Sequence, residues 1–363
     1  MEIITPIVVL SLISLILGIL IVLADRFLAD YGECKLIIND GAREYTVRGG
    51  STILSYLSSN KIFIPSACGG KATCGLCKGR VLSDVGPVLP TERPFLDKEE
   101  FDNNTRLLCQ VKVKKDTEIL IPEEFFLVKE FRTTVEAITP LSHDTQMFRF
   151  KLEEPNEILF KPGQFVQFRI PKAGEERAYS IASSPNEKNI VELIVRLVPG
   201  GLCTTYMFNK LKVGDPIFLT GPYGDFYLRE ETDDPIICVA GGSGSAPIRS
   251  IINYLNEKKS ERTIRSFYGG RTPKDIYLTE YYEGLAKILK DFKHIPAISE
   301  YTNVDEKSWT GERGLITEVI ANHFEDLSEY EAYMCGPPIM IQKATELLIK
   351  LGINKDRVFF DEF

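Results

Sequence analysis

The chain has 363 residues, 44% hydrophobic, 26% charged and 10% aromatic, with a formal net charge of −8. That length exceeds one typical core and predicts two or three domains, and the composition is that of an ordinary globular protein. The acidic balance argues against a general binder of nucleic acid or of anionic lipid, because neutralising phosphate requires clustered Lys and Arg.

From Ile3 to Ala24 the chain runs 22 residues without a charge, bounded by Glu2 and by Asp25 and Arg26. A helix of that length reaches about 30 Å, enough to cross the hydrocarbon core of a bilayer. The alternatives are a buried core helix or a cleaved signal peptide. A signal peptide opens on positive charge and carries an apolar region of roughly 7–15 residues, whereas this chain opens Met1-Glu2 and its run is longer. A retained single-span anchor (residues 1–32) is therefore expected. Lys and Arg follow the span, at Arg26 and Lys35, and none precedes it, so the catalytic bulk is expected on the cytoplasmic side of the inner membrane.

The next block, residues 33–126, opens on an alternating strand, Cys34 to Ile38, and a turn at Asn39-Asp40-Gly41. A short helix is expected after Ser51, with Leu54 and Leu57 on one face. A Gly-rich loop then carries three of the eight cysteines, Cys68, Cys74 and Cys77, and Cys109 follows 32 residues after Cys77. Such crowding in a long chain predicts metal ligation rather than a disulfide framework. The glycines let the loop wrap closely and turn backbone N–H groups toward sulfur, as a [2Fe–2S] cluster needs. A Cys₄ zinc site is the competing reading, although zinc usually takes two C-x₂-C pairs and one is present here.

Residues 127–230 predict an antiparallel β-rich domain, a barrel or sandwich, with strands at Gln164–Ile170, Ala178–Ala182 and Val191–Val198. In Arg177-Ala178-Tyr179-Ser180, the Arg can clamp a diphosphate, the Tyr can lie on an isoalloxazine ring and the Ser can hydrogen-bond its N5. Gly200-Gly201, with Thr204 and Thr205, opens a helical run at Tyr206–Lys210 and offers amides to a pyrophosphate. Gly221 to Gly224 predicts a structural turn.

Residues 231–363 change character. The apolar strand Ile236–Ala240 runs into Gly241-Gly242-Ser243-Gly244, and Ile248, Ile251, Ile252 and Leu255 follow at helical spacing. A further strand at Ile264–Tyr268 makes this the start of a parallel α/β sheet. Gly242-x-Gly244-x-x-Pro247 departs from the usual G-x-G-x-x-G dinucleotide fingerprint at its third position, and a structural turn is an equal reading of it alone.

Taken in order, Arg177 to Ser180, Gly241 to Pro247 and Cys335-Gly336-Pro337-Pro338 resemble the ferredoxin–NADP reductase superfamily. With the cysteine module in front, the chain resembles reductases that combine [2Fe–2S], FAD and NADH domains. The N-terminal span adds a similarity to the F subunits of sodium-translocating NADH:quinone reductases. The resemblance implies an α+β multidomain chain: a transmembrane helix, a β-grasp ferredoxin domain, an antiparallel FAD barrel and an α/β NADH domain. It implies that Cys68, Cys74, Cys77 and Cys109 hold the cluster. Arg177, Tyr179 and Ser180, with Gly200, Gly201, Thr204 and Thr205, would hold FAD. Gly242, Gly244, Pro247, Arg271, Asp275, Gly336 and Pro337 would shape the NADH site. Ser180 would tune the flavin, Cys335 would lie near the nicotinamide, and Phe363 would cover the flavin face that the nicotinamide displaces. The implied partners are the membrane and the other membrane subunits of a quinone-reducing complex, with NADH as substrate. The ending Phe360-Asp361-Glu362-Phe363 is equally similar to reductases that feed oxygenases, which leaves the electron acceptor open.

Overall fold

The computed structural model describes residues 10–19, 31–171, 175–302, 304–305 and 309–362. Most of the expected span Ile3–Ala24 lies outside these residues. Of it, residues 10–19 are helical with exposed apolar side chains. Among the described residues no helix is long and apolar enough to cross a membrane. The chain divides into two compact units, Met1–Leu127 and Val128–Phe363.

In the first unit, the described strands β1 (Glu33–Ile38), β2 (Arg43–Arg48), β3 (Lys78–Val81), β4 (Thr105–Leu107) and β5 (Thr117–Leu120) form a mixed sheet ordered β2-β1-β5-β3-β4. Strand β1 is antiparallel to β2 and parallel to β5, which in turn runs antiparallel to β3. The period-2 alternation of β1 buries Cys34, Leu36 and Ile38. Helix α1 (Ile53–Ser59) starts where the Thr52 side chain accepts from Ser55 N–H, and it buries Ile53 and Leu57. The expected face of Leu54 and Leu57 is thus centred one residue earlier.

Glu92 is fully buried, and its carboxylate accepts from Arg106 Nε (2.9 Å) and Nη2 (2.7 Å) and from the amides of Leu89 (2.9 Å) and Leu107 (3.0 Å). Burial pushes this carboxyl up, but the guanidinium and the two amides more than offset that and hold it below the usual glutamate value. Arg106→Met should strand the charge and destabilise this unit by about 3–5 kcal/mol. Faster hydrogen exchange of the β3 and β4 amides would report it, and unchanged protection would refute it. A depressed folded pKa contributes stability that is complete above the unfolded value of about 4.3 and is lost as pH falls through the lower folded value.

The second unit opens with β6 (Lys129–Pro140), β7 (Thr145–Glu154), β8 (Phe165–Arg169), β9 (Glu176–Ser180), β10 (Ile190–Arg196) and β11 (Pro216–Tyr223). They form an antiparallel sheet ordered β10-β7-β6-β11-β8-β9. A single bridge from Ile181 to Leu193 joins its two edges, so the sheet closes on itself. Phe148, Phe150, Val166, Phe168 and Leu193 fill the interior. Gly221-Pro222-Tyr223 continues β11 rather than forming a separate turn.

The rest is a parallel sheet, β15-β14-β13-β12-β16-β17, made of β12 (Ile236–Gly241), β13 (Ile264–Gly270), β14 (Phe292–Ile298), β15 (Glu312–Arg313), β16 (Glu331–Gly336) and β17 (Val358–Glu362). Strands β12 and β16 are buried at every position, as central parallel strands are. Alternate residues of β12 serve opposite layers, Ile236, Cys238 and Ala240 in one and Ile237 and Val239 in the other. The chain proceeds outward from β12 to β15 and then returns to β12's other side with β16. The order reverses between β12 and β16, and in such sheets ligands bind at the carboxyl ends of the strands flanking that reversal.

Candidate functional site

Three centres emerge from these elements. The first lies in the loop between α1 and β3. Gly69, Gly70 and Gly75 take φ of 64°, 83° and 70°, and Ala72 takes 55°, a left-handed path that wraps the backbone around sulfur. Cys68 and Cys74 approach to 3.4 Å between Sγ atoms, and the Lys71 amide donates to Cys68 Sγ at 3.2 Å. Cys77 and Cys109 form a second pair, close enough to act on each other's titration, where β3 meets β4. Gln110 Nε2 donates to Cys109 Sγ at 3.6 Å.

One thiolate in each pair is stabilised. The Cys74 thiol, then the Thr73 and Lys71 amides, bring Cys68 down to about 4 against the opposing effect of burial. The Cys77 thiol and Gln110 bring Cys109 to about 7. Two thiolate pairs with amides aimed at sulfur suit a two-iron cluster, in which each iron takes two of them.

The second centre is where β9 faces α2 (Leu202–Asn209). This helix starts four residues earlier than the run expected at Tyr206, because Gly201 serves as its N-cap. Its first N–H groups have no partner within the helix, which makes the end a seat for an anion. A side chain at Gly200, whose φ is +73°, would meet nothing within 4 Å, so that approach is open. Burial pushes up both the Tyr179 phenol and the Cys203 thiol in the helix's first turn, and the two groups and the Arg177 charge act on one another electrostatically. Arg177 itself pairs with Glu175 at 2.8 Å. Ser180, nearly buried, lies opposite Phe165 in the β8–β9 register. Thr204 turns inward, its hydroxyl on the backbone of Val198, so it braces the loop; Thr205 is left half-buried beside it.

The third centre is the reversal point of the parallel sheet, and here the structure separates residues that look alike in sequence. A Cβ at Gly244 would fall 2.1 Å from the Cys335 carbonyl oxygen, so this glycine lets the turn pack against the end of β16. At Gly336 a Cβ would meet Met340 at 2.8 Å. Gly242 differs, with φ +56° and only Arg196 Nη1 at 4.0 Å from a would-be Cβ. Pro247 is buried in the first turn of α3 (Ser245–Glu257), where its missing N–H costs nothing. Cys335 has no exposed surface, and burial together with Asp361 pushes its thiol well up.

Pro337 caps α5 (Pro338–Lys350) from an exposed position, while α4 (Thr279–Leu285) follows the neighbouring strand β13. Arg271 and Asp275 lie between β13 and α4. Arg271 pairs with Glu300 (2.6 Å), and the Asp275 carboxylate accepts from Thr272 N (2.7 Å) and Oγ1 (2.9 Å). Both polar heads are thus engaged with protein partners. Phe363 lies outside the described residues.

The barrel and this sheet are joined through α3. Arg249 donates to Glu192 on β10 (2.5 Å) and to the Ala182 carbonyl (2.8 Å), and Ser250 donates to the Ser183 carbonyl (2.7 Å).

Comparison with known proteins agrees with this division. Residues 36–114 match the 2Fe-2S iron-sulfur cluster binding domain, 132–227 the oxidoreductase FAD-binding domain and 238–346 the oxidoreductase NAD-binding domain. The chain is 34% identical, over the full length of both proteins, to the F subunit of the Na(+)-translocating NADH-quinone reductase of Neisseria meningitidis serogroup B. It is 33% identical, over 98% of each, to the F subunit of the same enzyme in Actinobacillus pleuropneumoniae serotype 5b.

The chain belongs to the family of F subunits of Na(+)-translocating NADH-quinone reductases.

Solved structures similar to this family member include a cytochrome P450 reductase of Amycolatopsis, at TM-score 0.72 and 26% identity over 91% of this chain and 98% of that one. The ferredoxin reductase of a carbazole 1,9a-dioxygenase matches at 0.71 and 27% with the same coverage. Sequence reasoning missed Arg196. It ends β10, pairs with Asp144 at 2.6 Å and stands over the Gly242 turn. A cation closing an apolar strand just before Pro199-Gly200-Gly201 was the available signal.

Proposed function

We propose that the chain is the NADH-oxidising, electron-delivering subunit of a membrane complex that reduces quinone, with sodium transport coupled in other subunits. When bound, FAD takes two electrons from NADH and releases them singly, which matches a cluster that accepts one at a time. The observation that carries the reading is the division of three centres in one chain: paired thiolates, a β9–α2 anion seat and an open glycine turn at the sheet reversal.

Residue roles follow from the family resemblance, and that geometry supports them. Cys68, Cys74, Cys77 and Cys109 hold the cluster in a domain spanning about 33–126 with the β-grasp topology. Arg177, now paired with Glu175, would hold the FAD diphosphate near the start of α2, with Tyr179 against the isoalloxazine and Ser180 within reach of its N5. Gly242 admits the dinucleotide, and the family resemblance assigns Cys335 to the nicotinamide position and the terminal Phe363 to the flavin face. The barrel domain is taken as 127–230 and the NADH domain as 231–363. Arg271 and Asp275 stand beside the adenosine ribose, and the preference for NADH over NADPH is what the family resemblance implies. The apolar run Ile3–Ala24 anchors the chain in the inner membrane with its catalytic domains cytoplasmic, a reading supported by the bare apolar helix at residues 10–19.

Anaerobic NADH titration of the purified full chain tests the core of this reading. Flavin bleaching together with a rhombic [2Fe–2S] EPR signal is the expected result. Bleaching without that signal would sink the proposed electron path. The likeness to oxygenase and P450 reductases favours a second reading of the acceptor, a tethered reductase serving an iron enzyme. Reconstitution with quinone-reducing membrane subunits separates the two.

A further inference from the structure

The glycine turn after β12 is held from behind by a residue distant in sequence. Tyr277 lies between the end of β13 and α4, and it is buried, 7% exposed. Its hydroxyl donates to the Gly242 carbonyl at 2.7 Å and lies 2.8 Å from Ser245 Oγ. A phenol has one proton to give. With that proton committed to Gly242, Ser245 must be the donor in the second bond. The backbone amide of Ser245 also donates to the Gly242 carbonyl, and the Tyr268 hydroxyl, shared with the Asp275 carbonyl at 3.1 Å, reaches it at a longer 3.5 Å, so Tyr277 makes the shortest side-chain bond to this oxygen.

The Gly242–Ser243 peptide is trans, since the cis bonds among the described residues precede Pro155 and Pro222. In a trans unit the C=O and N–H point in opposite directions. Drawing the Gly242 carbonyl inward therefore turns the Ser243 N–H outward, to the side where a Cβ on Gly242 would meet only Arg196. That side offers an amide donor beside a guanidinium, a pairing suited to a phosphate oxygen.

We infer that Tyr277 is a positioning residue of the dinucleotide site, its hydroxyl fixing the peptide plane that presents Ser243 N–H to the diphosphate of NADH. The inference rests on the reading of this turn as the NADH site. Tyr277→Phe keeps the ring and its packing and removes only the hydrogen bond. The turn then loses its hold on the peptide plane, and affinity for ligands carrying a diphosphate falls.

The experiment uses the full-length, FAD-loaded protein and an NADH:ferricyanide assay, with ADP-ribose and adenosine as competing probes. Tyr277→Phe should raise KM for NADH and Ki for ADP-ribose roughly three- to tenfold, the worth of one ordinary hydrogen bond. Turnover at saturating NADH and Ki for adenosine, which has no phosphate, should stay near wild type. Ser245→Ala, which leaves the Tyr277–Gly242 bond in place, should move KM and the ADP-ribose Ki the same way by less. Equal weakening of ADP-ribose and adenosine would mean general loosening and would overturn the inference, as would an unchanged Ki for ADP-ribose. Wild-type protein that neither oxidises NADH nor binds ADP-ribose would instead overturn the underlying reading.

Discussion

Cys74→Ala should yield a protein without its iron–sulfur cluster that still bleaches its flavin when given NADH. Cys74 supplies half of the first thiolate pair, at 3.4 Å from Cys68, and is the one of the four that is half-exposed rather than buried. Alanine leaves three thiolates and an iron with a single protein ligand, which an otherwise preformed loop cannot make good. The barrel and the parallel sheet form a separate compact unit, so flavin reduction should proceed at a rate near that of wild type. Iron content and low-temperature EPR measure the first expectation, and stopped-flow absorbance measures the second. Cys34→Ala is the control: Cys34 is a cysteine of the same unit that is buried and has its thiol directed at the Tyr31 carbonyl. Wild-type iron content in the Cys74 variant, or loss of iron in the Cys34 variant, would contradict the ligand assignment.

Gly244→Ala and Gly242→Ala should part company, although the two glycines are two residues apart in one turn. The Gly244 methyl would sit 2.1 Å from a backbone oxygen and 2.5 Å from the Cys335 carbonyl carbon, and no side chain can swing away to relieve it. Either the turn or the end of β16 must shift, and overpacking of this kind costs about 1–3 kcal/mol or more. A displacement approaching 1 Å at a reacting centre costs on the order of 100-fold in rate, so NADH oxidation should fall by about that factor. At Gly242 the methyl enters open space, and the positive φ costs on the order of 1 kcal/mol. That variant should fold with nearly full flavin content and show its defect as a raised KM for NADH. Thermal melting, flavin content and steady-state kinetics on both proteins decide the matter. A Gly244 variant as active as wild type would show that the turn does not pack against β16 as described.

Much of the organisation was legible without coordinates. The strand Ile236–Ala240, the glycine turn and the i, i+3, i+4, i+7 pattern of α3 are all local signals, and each appears where periodicity put it. The start of α2 was not legible. Its first residues carry no apolar period, and its start depends on Gly201 as cap and on Thr204 folding back to Val198. Asp275 carries a contact the sequence did not announce, since its carboxylate closes a capping box with Thr272 three residues earlier.

The chemistry open to this protein is written in short stretches of its chain. Cysteine spacing pointed to a thiolate cluster, and the order of Arg177–Ser180, Gly241–Pro247 and Cys335–Pro338 carried the resemblance to flavin and nucleotide reductases. Residue type and short spacing carry that information, because each motif is completed within about ten residues. Which groups act together emerged only on folding. Cys109 meets Cys77 because β3 pairs with β4 across 32 residues, and Tyr277 meets Gly242 because β13 lies beside β12. Closing such distances takes cooperative burial of whole strands, a property of the packed core that no local pattern encodes.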